Sequence, residues 1–210
     1  MRRALPWVLA IIFLVGFVAS FAELQRMRNR FGEMSQHAFH DHAAVREFMI
    51  RAALADAPAP IVVLGDSVTE MAPLPRQLCG RPIINAGVGG QTIREAKQLA
   101  RRLLDDQDAF LLVLAVGAND AGSPKAQRDF ADLVETVKPL SMRPLVAIAV
   151  AADAVTNQAI EASAVAGGIR LIDPLLPPGA KMPDGIHFTA AGYGAWVPAL
   201  EAAISAECTM

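Results

Sequence analysis

The sequence predicts an α/β fold, in which helices cover both faces of a parallel sheet. Short apolar runs alternate with amphipathic stretches along most of the chain. These runs are nearly continuous rather than alternating with polar residues, as is typical of strands buried on both faces. Strands that alternate with helices in this way favour parallel pairing. The predicted strands are residues 61–64, 82–86, 110–116, 144–151 and 169–173.

Helices are predicted between these strands from apolar residues that recur every three or four positions. The predicted helices lie around residues 96–104, 130–137, 155–166 and 193–204. The third is rich in alanine and has a less regular stripe than the others. We find no internal repeat, and a chain of 210 residues suggests one domain plus an additional segment.

The start of the chain is an uncharged apolar stretch. No charged residue occurs from position 4 to position 22, and 19 residues at helical rise reach roughly 28 Å, close to the ~30 Å hydrocarbon thickness of a bilayer. We therefore predict a transmembrane anchor at residues 1–22. A cleavable signal peptide is the alternative, because Arg2 and Arg3 precede the stretch and Ser20–Ala22 suits a cleavage site. The stretch is longer than the usual apolar region of about 7–15 residues in a signal peptide.

The segment after the anchor predicts a helix and a linker. Val45, Phe48, Met49 and Ala52 form an apolar stripe, and the Pro-containing stretch 57–60 ends it. We therefore assign residues 23–59 to a juxtamembrane helix and linker, and residues 60–210 to the main domain. The arginines flanking the anchor do not favour export, but long domains are translocated despite flanking charge. We expect a single-pass membrane protein with an exported domain, or a secreted one if the anchor is cleaved.

Charge and composition exclude several classes of protein. The formal net charge is −2, and the basic residues are scattered, which argues against a nucleic-acid surface. Cys79 and Cys208 are the only cysteines, too few for a disulfide-dense scaffold or a four-cysteine zinc site. His37, His40 and His42 do not share one helix face, so a solvated stretch is favoured over a metal site.

Polar residues follow four of the predicted strands. Ligands of parallel sheets bind at the carboxyl ends of the strands, so these residues are expected to meet at one edge. Each stretch alone also suits an ordinary turn, whereas four in order at strand ends favour a functional site. The stretches are Gly65-Asp66-Ser67, "NAGVGGQT" (85–92), "GAND" ending in Asn119 and Asp120, and "MPDGIHFT" with Asp184 and His187.

The residue types at this edge suit acyl transfer. The Ser67 hydroxyl is a weak nucleophile that needs a base, and His187 is the only histidine after position 42. Asp184, three residues before His187, can hold the imidazole in one tautomer. An oxyanion needs hydrogen-bond donors, which the Ser67 and Gly90 backbone N–H groups and the Asn119 amide could supply. The stretch "GVGGQT" is not a phosphate-binding P-loop, because it lacks Gly-Lys-Ser/Thr. It is not a dinucleotide-binding motif either, because Thr92 stands where that motif has its third glycine.

These motifs resemble those of the SGNH hydrolases in the GDSL esterase/lipase superfamily, over about residues 60–206. Gly65-Asp66-Ser67 resembles the first sequence block of that family, and "NAGVGGQT" resembles the second, with Gly90 at the oxyanion position. "GAND" resembles the third block with Asn119, and "DGIH" resembles the fifth with Asp184 and His187. Gly89 stands where the family often has serine, a difference that we expect to have little consequence beyond the loss of a local hydrogen bond.

The resemblance implies a flavodoxin-like three-layer sandwich with a five-stranded parallel sheet in the order 2-1-3-4-5, and no metal or organic cofactor. It implies a serine esterase with Ser67, His187 and Asp184 as catalytic residues. It separates the chain from α/β-hydrolases, because "DSVTE" lacks the second glycine of their nucleophile turn. Two other interpretations stay open: a membrane-tethered, non-catalytic binding protein on the same scaffold, and an O-acetyltransferase.

The expected substrate is an acylated carbohydrate or lipid, with O-acetyl groups of an envelope polysaccharide as one candidate. Met71, Pro73, Leu74 and Pro75 follow the nucleophile and suit either an acyl pocket or core packing.

The implied topology also bears on the two cysteines. It places Cys79, before the second strand, and Cys208, after the last helix, at the end of the sheet opposite the site. The sequence leaves open whether they pair; oxidising compartments permit a disulfide there if the domain is exported. Such a bond requires Cα atoms no more than about 7 Å apart.

Overall fold

The computed structural model describes residues 5–35, 41–106, 108–150 and 153–209. The chain divides into two compact units, one ending at Val45 and the other beginning at Arg46. The first unit contains helix α1 (Leu5–Ser35) and the start of helix α2 (His42–Ala55).

The predicted anchor at residues 1–22 falls in the first unit, and residues 1–4 lie outside the described part of the chain. Among the described residues, no helix is both long enough and apolar enough to span a membrane. The anchor stays a prediction from the sequence. His37 and His40 also lie outside the described residues.

The second unit is built on a six-stranded sheet in the order β2-β3-β1-β4-β5-β6. The strands are β1 (Ile61–Gly65), β2 (Gln77–Leu78), β3 (Arg81–Gly87), β4 (Leu111–Ala115), β5 (Val146–Ile148) and β6 (Arg170–Ile172). All pairs except β2–β3 are parallel. The mostly parallel α/β sheet is confirmed, and its five parallel strands have the implied order 2-1-3-4-5.

The sixth strand is the difference from the predicted sheet of five strands. β2 pairs antiparallel with the start of β3, and the tight turn between them places Cys79 and Gly80 at φ values of 54° and 69°. A two-residue strand is too short to show any hydrophobic periodicity, so the sequence pattern could not reveal it.

Helices cover both faces of this sheet, as predicted. Alternate residues of β1 face opposite sides: Val62 and Leu64 join one buried cluster, whereas Ile61 and Val63 join the other. The first cluster packs against α4 (Ile93–Leu103), α5 (Ala126–Val137) and α6 (Ala154–Ala166). The second packs against α7 (Ala190–Cys208), which contributes the fully buried Trp196. Burial of both faces explains the nearly continuous apolar strands.

The compact unit begins at Arg46, earlier than the boundary predicted at residue 60. Ile50 and Leu54 of α2 are buried in the same cluster as Val62 and Leu64 of β1. The second half of α2 therefore contributes to the hydrophobic core, although Ala57–Pro60 interrupts the helical pattern after it. Local helix-breaking residues mark the end of an element and carry no information on which core that element joins.

Cys79 and Cys208 form a disulfide, with Cα atoms 6.3 Å apart. Cys79 lies just before β3, and Cys208 is the last residue of α7. The bond therefore joins the sheet edge to the final helix at the end where the parallel strands begin, across 129 residues of chain.

Candidate active site

Ser67 begins a short helix, α3 (Ser67–Glu70), directly after β1. Asp66 caps this helix: its Oδ1 accepts the Val68 N–H at 3.0 Å. Its Oδ2 accepts the Ala118 N–H, also at 3.0 Å, from the 3₁₀ turn Ala118–Asp120 after β4. Asp66 is fully buried, and this burial raises its pKa to about 6, against the opposing effect of the two N–H donors. One buried carboxyl group thus fixes the helix start and joins two strand ends.

Two glycines allow α3 to pack closely against the sheet. A side chain at Gly65 would collide with Thr69, and one at Gly87 would collide with the backbone of Glu70. On its other side, α3 is held by Tyr193, whose hydroxyl donates to the Val68 carbonyl at 2.7 Å. The position of Ser67 is therefore set by contacts on several sides rather than by the loop alone.

The structure brings Ser67, His187 and Asp184 together. His187 Nε2 lies 2.9 Å from Ser67 Oγ, although the two residues are 120 positions apart in the chain. His187 Nδ1 lies 2.7 Å from Asp184 Oδ2. The three side chains thus form a continuous hydrogen-bonded chain at the carboxyl end of β1.

Asp184 is held in the charged form. The hydrogen bond from the His187 ring, followed by the Ile186 and His187 N–H groups, lowers the pKa of Asp184 to about 2. A carboxylate can only accept, so His187 Nδ1 must carry the proton of this bond. In the neutral imidazole, Nε2 is then an acceptor that faces the Ser67 hydroxyl. This is the arrangement that a general base requires.

Contacts before and after His187 hold its loop in place. The His187 carbonyl accepts the Met182 N–H at 2.7 Å, and Gly185 between them has a φ of 72°. The next residue, Phe188, is buried and packs edge-on against Tyr193 of α7, with ring centroids 5.5 Å apart. The imidazole is therefore carried by a turn that is anchored to the core.

The loops that carry Gly90 and Asn119 are joined by hydrogen bonds. Asn119 Nδ2 donates to the Gln91 carbonyl at 3.0 Å, and Asp120 Oδ2 accepts the Ile93 N–H at 3.0 Å. Gly90 precedes Gln91 and has a φ of 76°, a conformation that favours glycine. Because Ala118 also donates to Asp66, the ends of β1, β3 and β4 are connected at this edge.

Three residues of the site were not recognised in the sequence. Tyr193 fitted the apolar stripe of its helix, yet its hydroxyl supports α3; burial and then the nearby Asp66 raise its pKa to about 12. Glu70 and Arg46 contact the loop before Gly90, and neither lies in a recognisable motif. The sequence offers one indication of a role for Tyr193, which is a hydroxyl on an otherwise apolar helix stripe. It offers no such indication for Glu70 or Arg46.

Residues 71–75, which follow Ser67 and α3, differ in their environment. Leu74 packs against the core cluster that contains Trp196, whereas Met71 is 48% exposed at the end of α3. In the described part of the chain, no three His, Cys, Asp or Glu side chains are grouped as a metal ion would require.

A mostly parallel sheet with this hydrogen-bonded Ser, His and Asp at its carboxyl edge has the groups that a serine hydrolase requires. The model of the GDSL-like lipase/acylhydrolase family matches residues 63–195. The chain belongs to this family and is an ester hydrolase of the SGNH/GDSL type, as the motif resemblance implied. No curated protein matches the chain significantly.

Solved structures with the same fold cover most of the chain. A GDSL-like lipase from Bacteroides thetaiotaomicron has a TM-score of 0.58 and 22% identity, over 80% of this chain and 98% of the other. A lipase/acylhydrolase from Enterococcus faecalis has a TM-score of 0.56 and 17% identity, over 71% and 96%. A catalytic mutant of an acetylxylan esterase from Geobacillus stearothermophilus has a TM-score of 0.51 and 15% identity, over 73% and 95%. At these identities the similarity concerns the fold.

Proposed function

We propose that this protein is a serine esterase that hydrolyses carboxylic esters through an acyl-enzyme on Ser67. The observation that carries the proposal is the chain of hydrogen bonds from Ser67 Oγ through His187 to Asp184, with distances of 2.9 and 2.7 Å. A serine hydroxyl gains nucleophilicity when a neutral imidazole accepts its proton, and the ionised Asp184 fixes the imidazole tautomer that can do so.

The reaction proceeds in two halves. Ser67 Oγ attacks the ester carbonyl carbon while His187 Nε2 takes the hydroxyl proton, and Asp184 stabilises the imidazolium. The ester C–O bond then breaks, and His187 returns the proton to the leaving alcohol. In the second half, a water attacks the acyl-Ser67 carbonyl and gives its proton to His187. The acid leaves, and the proton returns to Ser67 Oγ.

The backbone N–H groups of Ser67 and Gly90 and the side-chain amide of Asn119 serve as oxyanion donors in this proposal. The hydrogen bond from Asn119 to Gln91 supports it, because it keeps that amide beside the loop of Gly90. Donors held in place before the reaction stabilise the developing negative charge without reorganising.

Replacing Asn119 by alanine is expected to lower kcat by about 10²–10³-fold with a small change in KM, because the lost donor acts mainly in the transition state. Steady-state kinetics on a chromogenic short-chain ester measure the effect. Asn119→Asp should be at least as impaired, since it replaces a donor with a negative charge. An Asn119→Ala variant with the parent kcat would remove Asn119 from the oxyanion site.

Covalent labelling tests the proposal against a non-catalytic binding protein on the same scaffold. A fluorophosphonate probe should add once to the folded protein, and peptide mass spectrometry should locate the adduct on Ser67. Ser205→Ala, at the far end of α7, is the matched control and should label like the parent. A folded parent that does not react at Ser67 would favour the binding protein.

The substrate we propose is an acylated carbohydrate, such as an O-acetylated envelope polysaccharide. The fold shared with an acetylxylan esterase is compatible with this class. An O-acetyltransferase would form the same acyl-enzyme, so the two activities differ in which acceptor takes the acyl group. The ratio of free acetate to acetylated sugar, measured with an added sugar acceptor, distinguishes them.

We further propose that the domain is exported and tethered by residues 1–22. The uncharged stretch at 4–22 and the Cys79–Cys208 disulfide support this, since disulfides persist in oxidising compartments. In a bacterial host, the full chain should sediment with membranes, and added protease should degrade its domain in spheroplasts while a cytoplasmic marker survives. A protected domain would contradict export.

A further inference from the structure

Glu70, the last residue of α3, contacts the loop that carries Gly90. Its Oε2 accepts the Gly89 N–H at 2.6 Å. Ser67 and Glu70 begin and end the same single-turn helix, so one element carries both the nucleophile and this carboxylate. The Glu70 side chain is 18% exposed, so its hydrogen bond is largely shielded from water.

Arg46 of α2 forms an ion pair with the other oxygen of this carboxylate. Its Nε lies 3.1 Å from Glu70 Oε1, and its Nη2 donates to the Gly87 carbonyl at 2.9 Å. The same Nη2 lies 3.3 Å from the Asn85 carbonyl. The Arg46 side chain is 16% exposed, and its guanidinium group joins Glu70 to the end of β3. Arg46 precedes residues 63–195, the stretch that matches the family model.

The peptide unit between Gly89 and Gly90 needs contacts that fix its orientation. The direction of the Gly90 N–H depends on the peptide unit that joins these two residues. Two successive glycines allow that unit many orientations, because neither has a Cβ to restrict it. The Gln91 carbonyl is held by Asn119 on the far side of Gly90. Glu70 supplies the contact on the near side, so the loop is held on both sides of Gly90.

We propose that Glu70, held by Arg46, is a positioning residue that orients the Gly90 N–H toward the oxyanion. This rests on the proposed function, in which that N–H is an oxyanion donor. Arg46 has a second role, because a carboxylate near a developing oxyanion would repel it unless a cation compensates the charge. Helix α2, which precedes the matched family region, is therefore required for full turnover.

Steady-state kinetics and melting curves of Glu70→Ala test the proposal. We expect kcat to fall between about 10-fold and 100-fold, with KM within about twofold, because a misplaced donor weakens transition-state binding. Glu70→Gln should retain more activity than Glu70→Ala, since its amide oxygen can still accept the Gly89 N–H. Glu47→Ala is the matched control: Glu47 lies next to Arg46 on α2 and pairs with Arg51 and Arg102 instead.

The Arg46→Ala variant provides a second test, and we expect its kcat to be lower than that of the parent. The substitution leaves the Glu70 carboxylate without a compensating cation, so adding Glu70→Gln to Arg46→Ala should restore part of the lost kcat. Glu70→Gln would also relieve a loss of stability caused by the unpaired carboxylate, so kcat is compared well below the melting temperature of every variant, where only a positioning role predicts the restoration.

The inference is overturned if Glu70→Ala keeps the parent kcat, or if its loss appears in KM alone. The inference is also overturned if the kcat loss of Glu70→Ala disappears when the assay is run well below the melting temperature of that variant. An equal kcat loss in Glu47→Ala has the same consequence. Failure of the proposed function is recognised separately, because the parent would then show no turnover that depends on Ser67.

Discussion

Ester hydrolysis by the Ser67→Ala variant is expected to fall to the level set by substrate binding and the oxyanion donors, a loss on the order of 10⁶-fold in kcat. The reason is geometric: Ser67 Oγ is the hydroxyl that His187 Nε2 contacts, at 2.9 Å. Alanine removes the oxygen that attacks the ester in the proposed reaction and leaves the surrounding backbone in place. Initial rates of the full chain and its variant on a short-chain ester panel determine the loss.

The His187→Ala variant should lose a comparable factor, and the double variant should be no worse than either single one. In the proposed mechanism the two groups act as a unit, because a hydroxyl without its base and a base without its hydroxyl are both ineffective. Ser205→Ala is the control and should keep the parent rate. Losses that multiply in the double variant would mean that the two side chains act independently.

The Asp184→Asn variant should lose about 10⁴-fold in kcat at neutral pH. Asparagine presents an amide donor or a weaker acceptor to His187 Nδ1, so the ring no longer prefers the tautomer with Nε2 unprotonated. The imidazolium formed during attack also loses its negative partner. Kinetics at pH 7 measure the effect, and Asp108→Asn, an exposed substitution at the other end of the sheet before β4, is the control.

Asp184 also predicts a pH dependence of stability. Because its pKa in the folded protein is about 2, below the ordinary value of 3.8, ionisation favours the folded state. This contribution is present above about pH 4 and is lost as the pH falls toward 2. The difference in urea midpoint between the parent and Asp184→Asn should therefore narrow between pH 4 and pH 2.5. A difference that stays constant over this range would contradict the ionised carboxylate.

Much of the fold could be predicted because its determinants are local. The β1 strand is buried on both faces, so its apolar run is visible in the sequence, and it ends where Gly65-Asp66-Ser67 begins. The carboxyl edge followed from the parallel order of the strands. The sequence therefore predicts that the residues at these strand ends share one edge of the sheet.

Other features depended on contacts that leave no local pattern. The edge strand β2 is two residues long, and α2 joins the core after a helix-breaking segment. Arg46 and Glu70 are 24 positions apart and belong to different helices, and only the packing of α2 beside β3 brings them within 3.1 Å. Charged residues in amphipathic helices are usually solvated, so neither residue stood out.

The amino-acid sequence alone identifies which chemical groups stand at the strand ends, because turn and strand preferences act over a few neighbouring residues. The folded arrangement sets the distances among those groups, since the separation of Ser67 from His187 depends on strand register and on the docking of α7. Such long-range contacts come from burying apolar surface between distant elements, and that burial is a property of the assembled sheet and helices.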